Sequence, residues 1–494
     1  MKKIKGLFCI ALAALAFTVV SCGKEEAQAL IEEPIVELEG IDVSSYKKTI
    51  AVGETIELET KFKPENTTKK NLLWSSSDES ILTVTDGKVT GLDEGIATVT
   101  ASSLNGKIVN TLDFKVVNKA KWTVMLYICG SDLADFEESR VKELLKTENQ
   151  PKDVNIIVET GGSKEWTSTF NFSKNKLQRY HVENHNLVLD ESLTNKSMGS
   201  SSVFQDFMEW GLNEYPAEKT GVIFLTHGGA IKGVGSDYNY DKDRLTNGET
   251  QRALEAAFKN TRTTKKLEFV VYDSCVMALQ DVAEYNSHFF KYMIANQDYS
   301  WATYEDTSLG RWAEKLYSGS NTLELMKSYL DQDYFNNTFS LLDLSYMEEY
   351  KIAWENMAVA LDSKINQTNK AQFIELIRKT KCFGIVLDED TYDPLNTAYG
   401  IYDAKDFIKN LSADATFNPG DEYTKPVMEA FDKVIIESRG NVEDSTNWDD
   451  IKNGMNMFWD ISSICGGGLY TDSNTSFKNW LSLVKKYRYT EMYQ

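Results

Sequence analysis

Between Leu38 and Val117 the apolar positions fall in short β-branched runs separated by turn residues: Thr55-Ile56-Glu57-Leu58, Leu72-Leu73-Trp74, Ile81-Leu82-Thr83-Val84, Ala97-Thr98-Val99-Thr100 and Asp113-Phe114-Lys115-Val116-Val117. Strands at this spacing predict an all-β sandwich over residues 38–118. After Lys121 the pattern changes. Trp122-Thr123-Val124-Met125-Leu126-Tyr127-Ile128 is almost continuously apolar, and an acidic amphipathic stretch from Asp132 to Lys146 follows it. Three similar runs come next, Asn155 to Thr160, Gly221 to Thr226 and Leu267 to Tyr272, and a fifth, Tyr292 to Asn296, follows a helical interval. Apolar strands alternating with helical segments predict an α/β domain over residues 120–494, with a mostly parallel sheet covered by helices on both faces. In such sheets ligands bind beyond the carboxyl ends of the strands.

The N-terminus has a different pattern. Met1-Lys2-Lys3-Ile4-Lys5 precedes an apolar run from Leu7 to Val20 broken only by Thr18, and Ser21-Cys22-Gly23 follows. The run is short for a membrane span, and its charged start and small-residue end predict a secretory signal over residues 1–21. Val19-Val20-Ser21-Cys22 resembles a bacterial lipobox, which implies lipidation of Cys22 and a new N-terminus there. Residues 22–37 are polar and without period, as expected of a tether. Lys24-Glu25-Glu26 resembles an acidic tag with which some Gram-negative bacteria place lipoproteins on the outer face of the outer membrane. The expected location is therefore the bacterial cell envelope, lipid-anchored at the outer membrane, with surface exposure left open.

Loss of residues 1–21 removes three of 53 basic residues and leaves 50 against 74 acidic ones. So anionic a chain excludes nucleic acid as a partner and favours cationic peptides. Of the six cysteines, Cys129, Cys275, Cys382 and Cys465 remain besides Cys9 and Cys22. They are too dispersed for a disulfide framework, and no CxxC pair suggests zinc. His181 and His185 would make a metal pair only on a helix, whereas their surroundings read as strand and turn; no metal site is expected.

Two strand ends carry candidate chemistry. The third long run of the second domain ends in Thr226-His227-Gly228-Gly229 and the fourth in Tyr272-Asp273-Ser274-Cys275. Parallel strands bring both to the same sheet edge. A thiolate at Cys275 is a nucleophile, and an imidazole beside it can take up its proton and later donate one to a leaving amine. Glycines after the histidine allow close approach of a substrate, and the Gly228 and Cys275 amides are candidates for an oxyanion hole. Taken singly, Cys275 also reads as a small core residue and His227 as a satisfied strand-end group.

These blocks resemble a known family. His227-Gly228-Gly229 and Asp273-Ser274-Cys275-Val276-Met277, each after an apolar strand, are similar to the signature blocks of clostripain-like cysteine peptidases, caspase-fold enzymes that cleave after arginine or lysine. The order, histidine about 50 residues before cysteine, is also that of caspases. Leu245 to Leu254 resembles the family's helix between the blocks, and Gly454 to Trp459 a late strand. Ahead of them, Trp74-Ser75-Ser76-Ser77-Asp78, Gly87 to Leu92 and Gly95 to Ala101 resemble the bacterial Ig-like domain of group 2, a spacer or weakly adhesive module.

The resemblance implies a Cys275–His227 dyad that needs no cofactor for its chemistry, with calcium dependence left open. It places Asp273 at the base of the pocket for the cationic side chain, while on the residues alone Asp273 also reads as a helix cap. Asp298, Glu305 and Asp306 are candidates for a second pocket acid. Several relatives are cut between the two blocks, and Ser236 to Arg244, polar and without strand or helix period, offers Lys242 and Arg244 as processing sites. The chain departs from the family's pattern at Ala230-Ile231, where an aromatic is usual, and at Asn296-Gln297-Asp298-Tyr299-Ser300-Trp301, where a Glu-Glu block leading to Gly-Trp is expected. An inactive lipoprotein that binds peptide or glycan is the alternative, and an amidase or transpeptidase using the same dyad is a third.

Overall fold

The computed structural model describes residues 34–299, 308–331, 336–385, 397–439, 441–442, 453–459 and 475–487. The expected signal segment, Cys22, Trp301, Glu305, Asp306 and Cys465 lie outside the described residues.

The N-terminal domain consists of β1 (Gly40–Ser44), β2 (Thr49–Ala51), β3 (Thr55–Glu57), β4 (Glu59–Lys63), β5 (Leu72–Ser76), β6 (Leu82–Thr85), β7 (Lys88–Gly91), β8 (Gly95–Ser103) and β9 (Val109–Val117). One sheet has the order β2-β9-β8-β5, a second β3-β7-β6, and β1 pairs with β4. Alternation sets the inward face. Along β8, Ala97, Val99 and Ala101 are buried while Ile96 is exposed, and the inward residues meet Ile50, Val89 and Phe114 in the core. The five apolar runs all contribute strand residues. β1, β2, β4 and β7 lie outside those runs because they are short or, like Glu59-Thr60-Lys61-Phe62-Lys63, mainly polar.

After two intervening residues β10 (Ala120–Cys129) opens the second domain, followed by α1 (Ala134–Lys146), β11 (Val154–Gly161), β12 (Lys176–Glu183), β13 (Asn186–Thr194), α2 (Ser201–Glu214) and β14 (Ala217–Leu225). Then come β15 (Val234–Asp237), β16 (Asp243–Leu245), α3 (Asn247–Asn260), β17 (Leu267–Asp273), α4 (Gln280–Asn286), β18 (Phe290–Asn296), α5 (Ser308–Tyr317) and α6 (Thr322–Tyr329). The domains touch where Thr49 Oγ1 donates to Glu214 Oε2 at 2.5 Å and the Arg262 guanidinium stacks 4.3 Å over the Tyr46 ring.

The main sheet runs β13-β12-β11-β10-β14-β17-β18 and ends on the strands Phe339–Asp343 and Ile435–Ser438. Its five central strands are parallel, and two antiparallel strands flank them on each side. Successive side chains point to opposite faces. Met125 and Tyr127 of β10, Val222 and Phe224 of β14, and Val270 and Tyr272 of β17 pack with α2, α3 and α4. Val124 and Leu126, Ile223 and Leu225, and Phe269 and Val271 pack with α1, α5 and α6. Both faces are thus apolar, which is why these strands read as unbroken hydrophobic runs.

The chain lays β11 on one side of β10 and then β14 on the other. In doubly wound sheets such a reversal marks the ligand site at the carboxyl ends of the strands, here those of β10 and β14. One expectation is corrected nearby. The segment from Ser236 to Arg244 is not free of strand structure: β15 and β16 form an antiparallel hairpin, with Val234 opposite Leu245 and Asp237 opposite Asp243.

Candidate active site

Thr226 directly follows β14, and its Oγ1 donates to the Cys129 carbonyl at 2.9 Å, tying this strand end to that of β10. The chain then folds back. Gly235 N–H donates to the His227 carbonyl at 2.8 Å, and Gly228 pairs with Val234 as an isolated bridge. This return loop rests directly on the cysteine: a methyl group built on Gly228 would lie 1.9 Å from the Cys275 carbonyl oxygen and 2.9 Å from its nitrogen. Only glycine fits there, and the fit brings the two signature blocks into backbone contact.

Cys275, half-buried, leaves β17 two residues after Asp273. Val276 N–H donates to the Asp298 carbonyl at 3.0 Å and Ala278 N–H to the Asn296 carbonyl at 2.8 Å, so the loop is laid along the end of β18. Val276 has φ of +55°. A β-branched residue in the left-handed region costs roughly 1–3 kcal/mol. The surrounding hydrogen bonds hold this strained turn immediately after the candidate nucleophile.

His227 is partly exposed, and its Nε2 lies 2.7 Å from Asp132 Oδ1. Asp132 follows β10, just before α1. Burial pulls its carboxyl upward, but hydrogen bonds from His227 and Tyr238 and the His227 charge hold it below the usual carboxylate value. The sequence reading missed this residue. Its only signal was its place just after an apolar strand, which gains meaning once β10 is known to lie beside β14.

Asp273 alternates with Phe269 and Val271, so its side chain faces α1 and α6. There it forms an ion pair with Arg140 of α1 and accepts a hydrogen bond from Tyr329 of α6 at 2.6 Å. Arg140 also lies 3.7 Å from Glu137, and all of these side chains are almost fully buried. Asp273, expected at the base of a cation pocket, thus already has an internal guanidinium as its partner. The helix-cap alternative has no support, since α4 starts only at Gln280.

Asp298 lies beside the Cys275 loop, and its Oδ1 accepts from Gly384 N–H at 2.9 Å. Burial raises its carboxyl above the ordinary value against the backbone hydrogen bonds from Gly384 and Tyr299, and no cation pairs with it among the described residues. Lys242 is exposed at the hairpin tip with φ of +63°, its Nζ 5.0 Å over the Tyr238 ring. Arg244 is half-buried in β16, and a methyl group built on Gly229 would lie 3.0 Å from its Nη1.

His181 and His185 do not converge. His181 Nδ1 pairs with Asp190 at 2.9 Å on β12, and His185 faces the Leu145 carbonyl from the following turn. No group of three metal-ligating side chains gathers among the described residues.

A parallel sheet covered on both faces, with its signature histidine and cysteine in contacting loops at one edge, defines a caspase-like cysteine peptidase fold. The chain belongs to the Clostripain family, which it matches over residues 126–492, and residues 37–111 match the bacterial Ig-like domain of group 2. It resembles an inactive zymogen C11 protease from Parabacteroides distasonis with 13% identity and a TM-score of 0.53, over 74% of this chain and 99% of that one. A secreted C11 cysteine protease from Bacteroides thetaiotaomicron, solved with an irreversible peptide inhibitor, is 12% identical with a TM-score of 0.51 over the same shares. At such identities the likeness is one of fold. An α-L-arabinofuranosidase of Bifidobacterium longum is 38% identical over 74 residues, 15% of this chain and 7% of that one. The chain spans between 7% and 32% of the length of the curated relatives it matches.

Proposed function

We propose that this protein is a cysteine endopeptidase in which Cys275 attacks the peptide carbonyl and His227 moves the protons, with arginine or lysine preferred before the scissile bond. The observation that carries the reading is the backbone contact between Gly228 and Cys275, which holds the loop following His227 against the cysteine at the ends of adjacent parallel strands. His227 takes the thiol proton, and the thiolate sulfur bonds to the carbonyl carbon. The Gly228 and Cys275 amides face the resulting oxyanion. The C–N bond breaks as the imidazolium protonates the amine, leaving a thioester. Water then attacks while His227 accepts its proton, the C–S bond breaks, and acid and thiol are released. No cofactor is needed for these steps.

An arginyl chloromethylketone tests the reading. Covalent labelling of Cys275 together with hydrolysis of Arg- and Lys-containing fluorogenic peptides is expected. A chain that binds peptide or glycan without labelling or turnover would be the inactive binding lipoprotein instead.

The Arg or Lys preference is best assigned to Asp298, a half-buried carboxylate beside the cysteine loop, with Asp273 supporting that edge through Arg140. Activation by a cut after Lys242 is part of the same reading. The exposed hairpin tip supports Lys242 over Arg244, which is held in a strand. Intact mass after parallel incubation of wild type and Cys275→Ala should show fragments ending at Lys242 in the wild type alone. A fully active wild type that stays a single chain would overturn this step.

Lipidation of Cys22 and a place in the bacterial cell envelope complete the proposal. No helix among the described residues is long and apolar enough to cross a membrane. A diacylated cysteine would supply the anchor. The wild type is expected in the detergent phase of a Triton X-114 partition and Cys22→Ala in the aqueous phase; unchanged partition would remove the anchor.

A further inference from the structure

We propose that Asp132 is the positioning residue of the His227 imidazole, and that Tyr238 of the β15–β16 hairpin fixes Asp132 in turn. The inference rests on the reading of His227 and Cys275 as the reacting pair.

The turn that carries Asp132 is built to hold it. Gly130 N–H donates to the Gly161 carbonyl at 2.9 Å, Leu133 N–H to the Gly130 carbonyl at 2.7 Å, and Ser163 Oγ to the Ser131 carbonyl. Ser131 is fully buried with φ of +46°. The carboxylate is thus presented toward β14, and its Oδ1 reaches His227 Nε2 at 2.7 Å.

A neutral imidazole has one N–H and one lone pair. With Nε2–H donating to Asp132, the lone pair sits on Nδ1, the nitrogen that takes the Cys275 proton. When the ring becomes an imidazolium, the same carboxylate faces its positive charge. Nothing else is needed to select the tautomer.

The second link comes from the hairpin. Tyr238 N–H donates to the Gly162 carbonyl at 2.9 Å, and its phenol and the Asp132 carboxylate act on each other's proton affinity. Burial raises the Tyr238 phenol, and so does that carboxylate. Asp132 therefore has one partner on each side, the ring that it orients and the phenol that orients it. The hairpin that presents Lys242 at its tip is connected to the imidazole through two side chains.

The test uses the full chain with Asp132→Asn, Asp132→Glu, Tyr238→Phe and the Asp132→Asn/Tyr238→Phe double variant, assayed on an arginyl fluorogenic peptide. Asp132→Asn should lower kcat on the order of 10- to 100-fold with KM within about twofold, as when the partner that orients a reactive imidazole is lost. That is less than the roughly 10⁴-fold loss at a fully buried triad carboxylate, because Asp132 is half-exposed. Asp132→Glu should restore part of the loss. Tyr238→Phe should lower kcat a few-fold in the wild-type background and leave it unchanged in Asp132→Asn, since the phenol acts only through that carboxylate. A merely structural role would lower thermal stability and leave this non-additivity absent.

Wild-type kcat in Asp132→Asn overturns the positioning role, and equal Tyr238→Phe effects in both backgrounds overturn the link to the hairpin. Cys275→Ala is the control. Full turnover there, or an inactive wild type, means that the reading of the reacting pair has failed, whereas a dead Cys275→Ala beside an unaffected Asp132→Asn means that only this inference has.

Discussion

Replacing Cys275 by alanine is expected to abolish peptide hydrolysis, and replacing His227 by alanine to lower kcat by three or more orders of magnitude. Alanine offers no atom that can form the thioester, so the covalent route is closed. Loss of either member of a nucleophile–base pair commonly costs about 10⁴- to 10⁶-fold. His227→Ala keeps the sulfur and should retain slow alkylation of Cys275 by iodoacetamide. Both variants should melt within a few degrees of the wild type, because neither side chain belongs to the fully buried core. Turnover within tenfold of the wild type in Cys275→Ala would sink the mechanism and leave a binding protein or a different nucleophile.

The second large effect separates two acids. Asp298→Asn is expected to reduce the ratio of kcat/KM for an arginyl over a neutral peptide by roughly 30-fold to several thousand-fold. These factors correspond to the about 2–5 kcal/mol lost when one partner of a buried charge pair is removed. Burial raises the Asp298 carboxyl, so the charged form prevails above that raised value. The arginine preference should therefore be present at neutral pH and fade on acidification, starting at higher pH than for a solvated aspartate. Asp273→Asn should behave differently. It leaves Arg140 buried with its main counter-charge gone, which costs roughly 3–5 kcal/mol of stability, toward the lower end because Glu137 lies 3.7 Å away. Its urea midpoint should fall while the arginine preference stays. If selectivity instead follows Asp273 and ignores Asp298, the assignment of the pocket acid is reversed.

Much of the architecture was legible before any coordinates. β10, β11, β14, β17 and β18 stood out because strands covered on both faces are apolar at most positions, which leaves runs longer than a surface strand's alternation. The change of pattern at Lys121 marked the passage from a half-solvated sandwich to a buried sheet, and β10 begins at Ala120. His227 and Cys275 were visible as polar or reactive residues at the ends of such runs, the histidine beside two glycines. A strand end is a local property, so composition and spacing suffice to find it.

What the tertiary structure decided are the partnerships across the sheet. Asp132 stands 95 residues before His227 and Arg140 133 before Asp273. Neither pairing leaves a local pattern. Asp132 meets His227 because the chain places β14 directly beside β10, a strand order that apolar runs do not encode. The alternation along β17 would have put Asp273 with Phe269 and Val271, but which helices cover that face depends on the crossovers. Strand end, period and glycine are carried by neighbours in the chain and can be read from it; the choice of carboxylate for each cation is made by packing between segments far apart in sequence, and only the folded sheet brings those segments together.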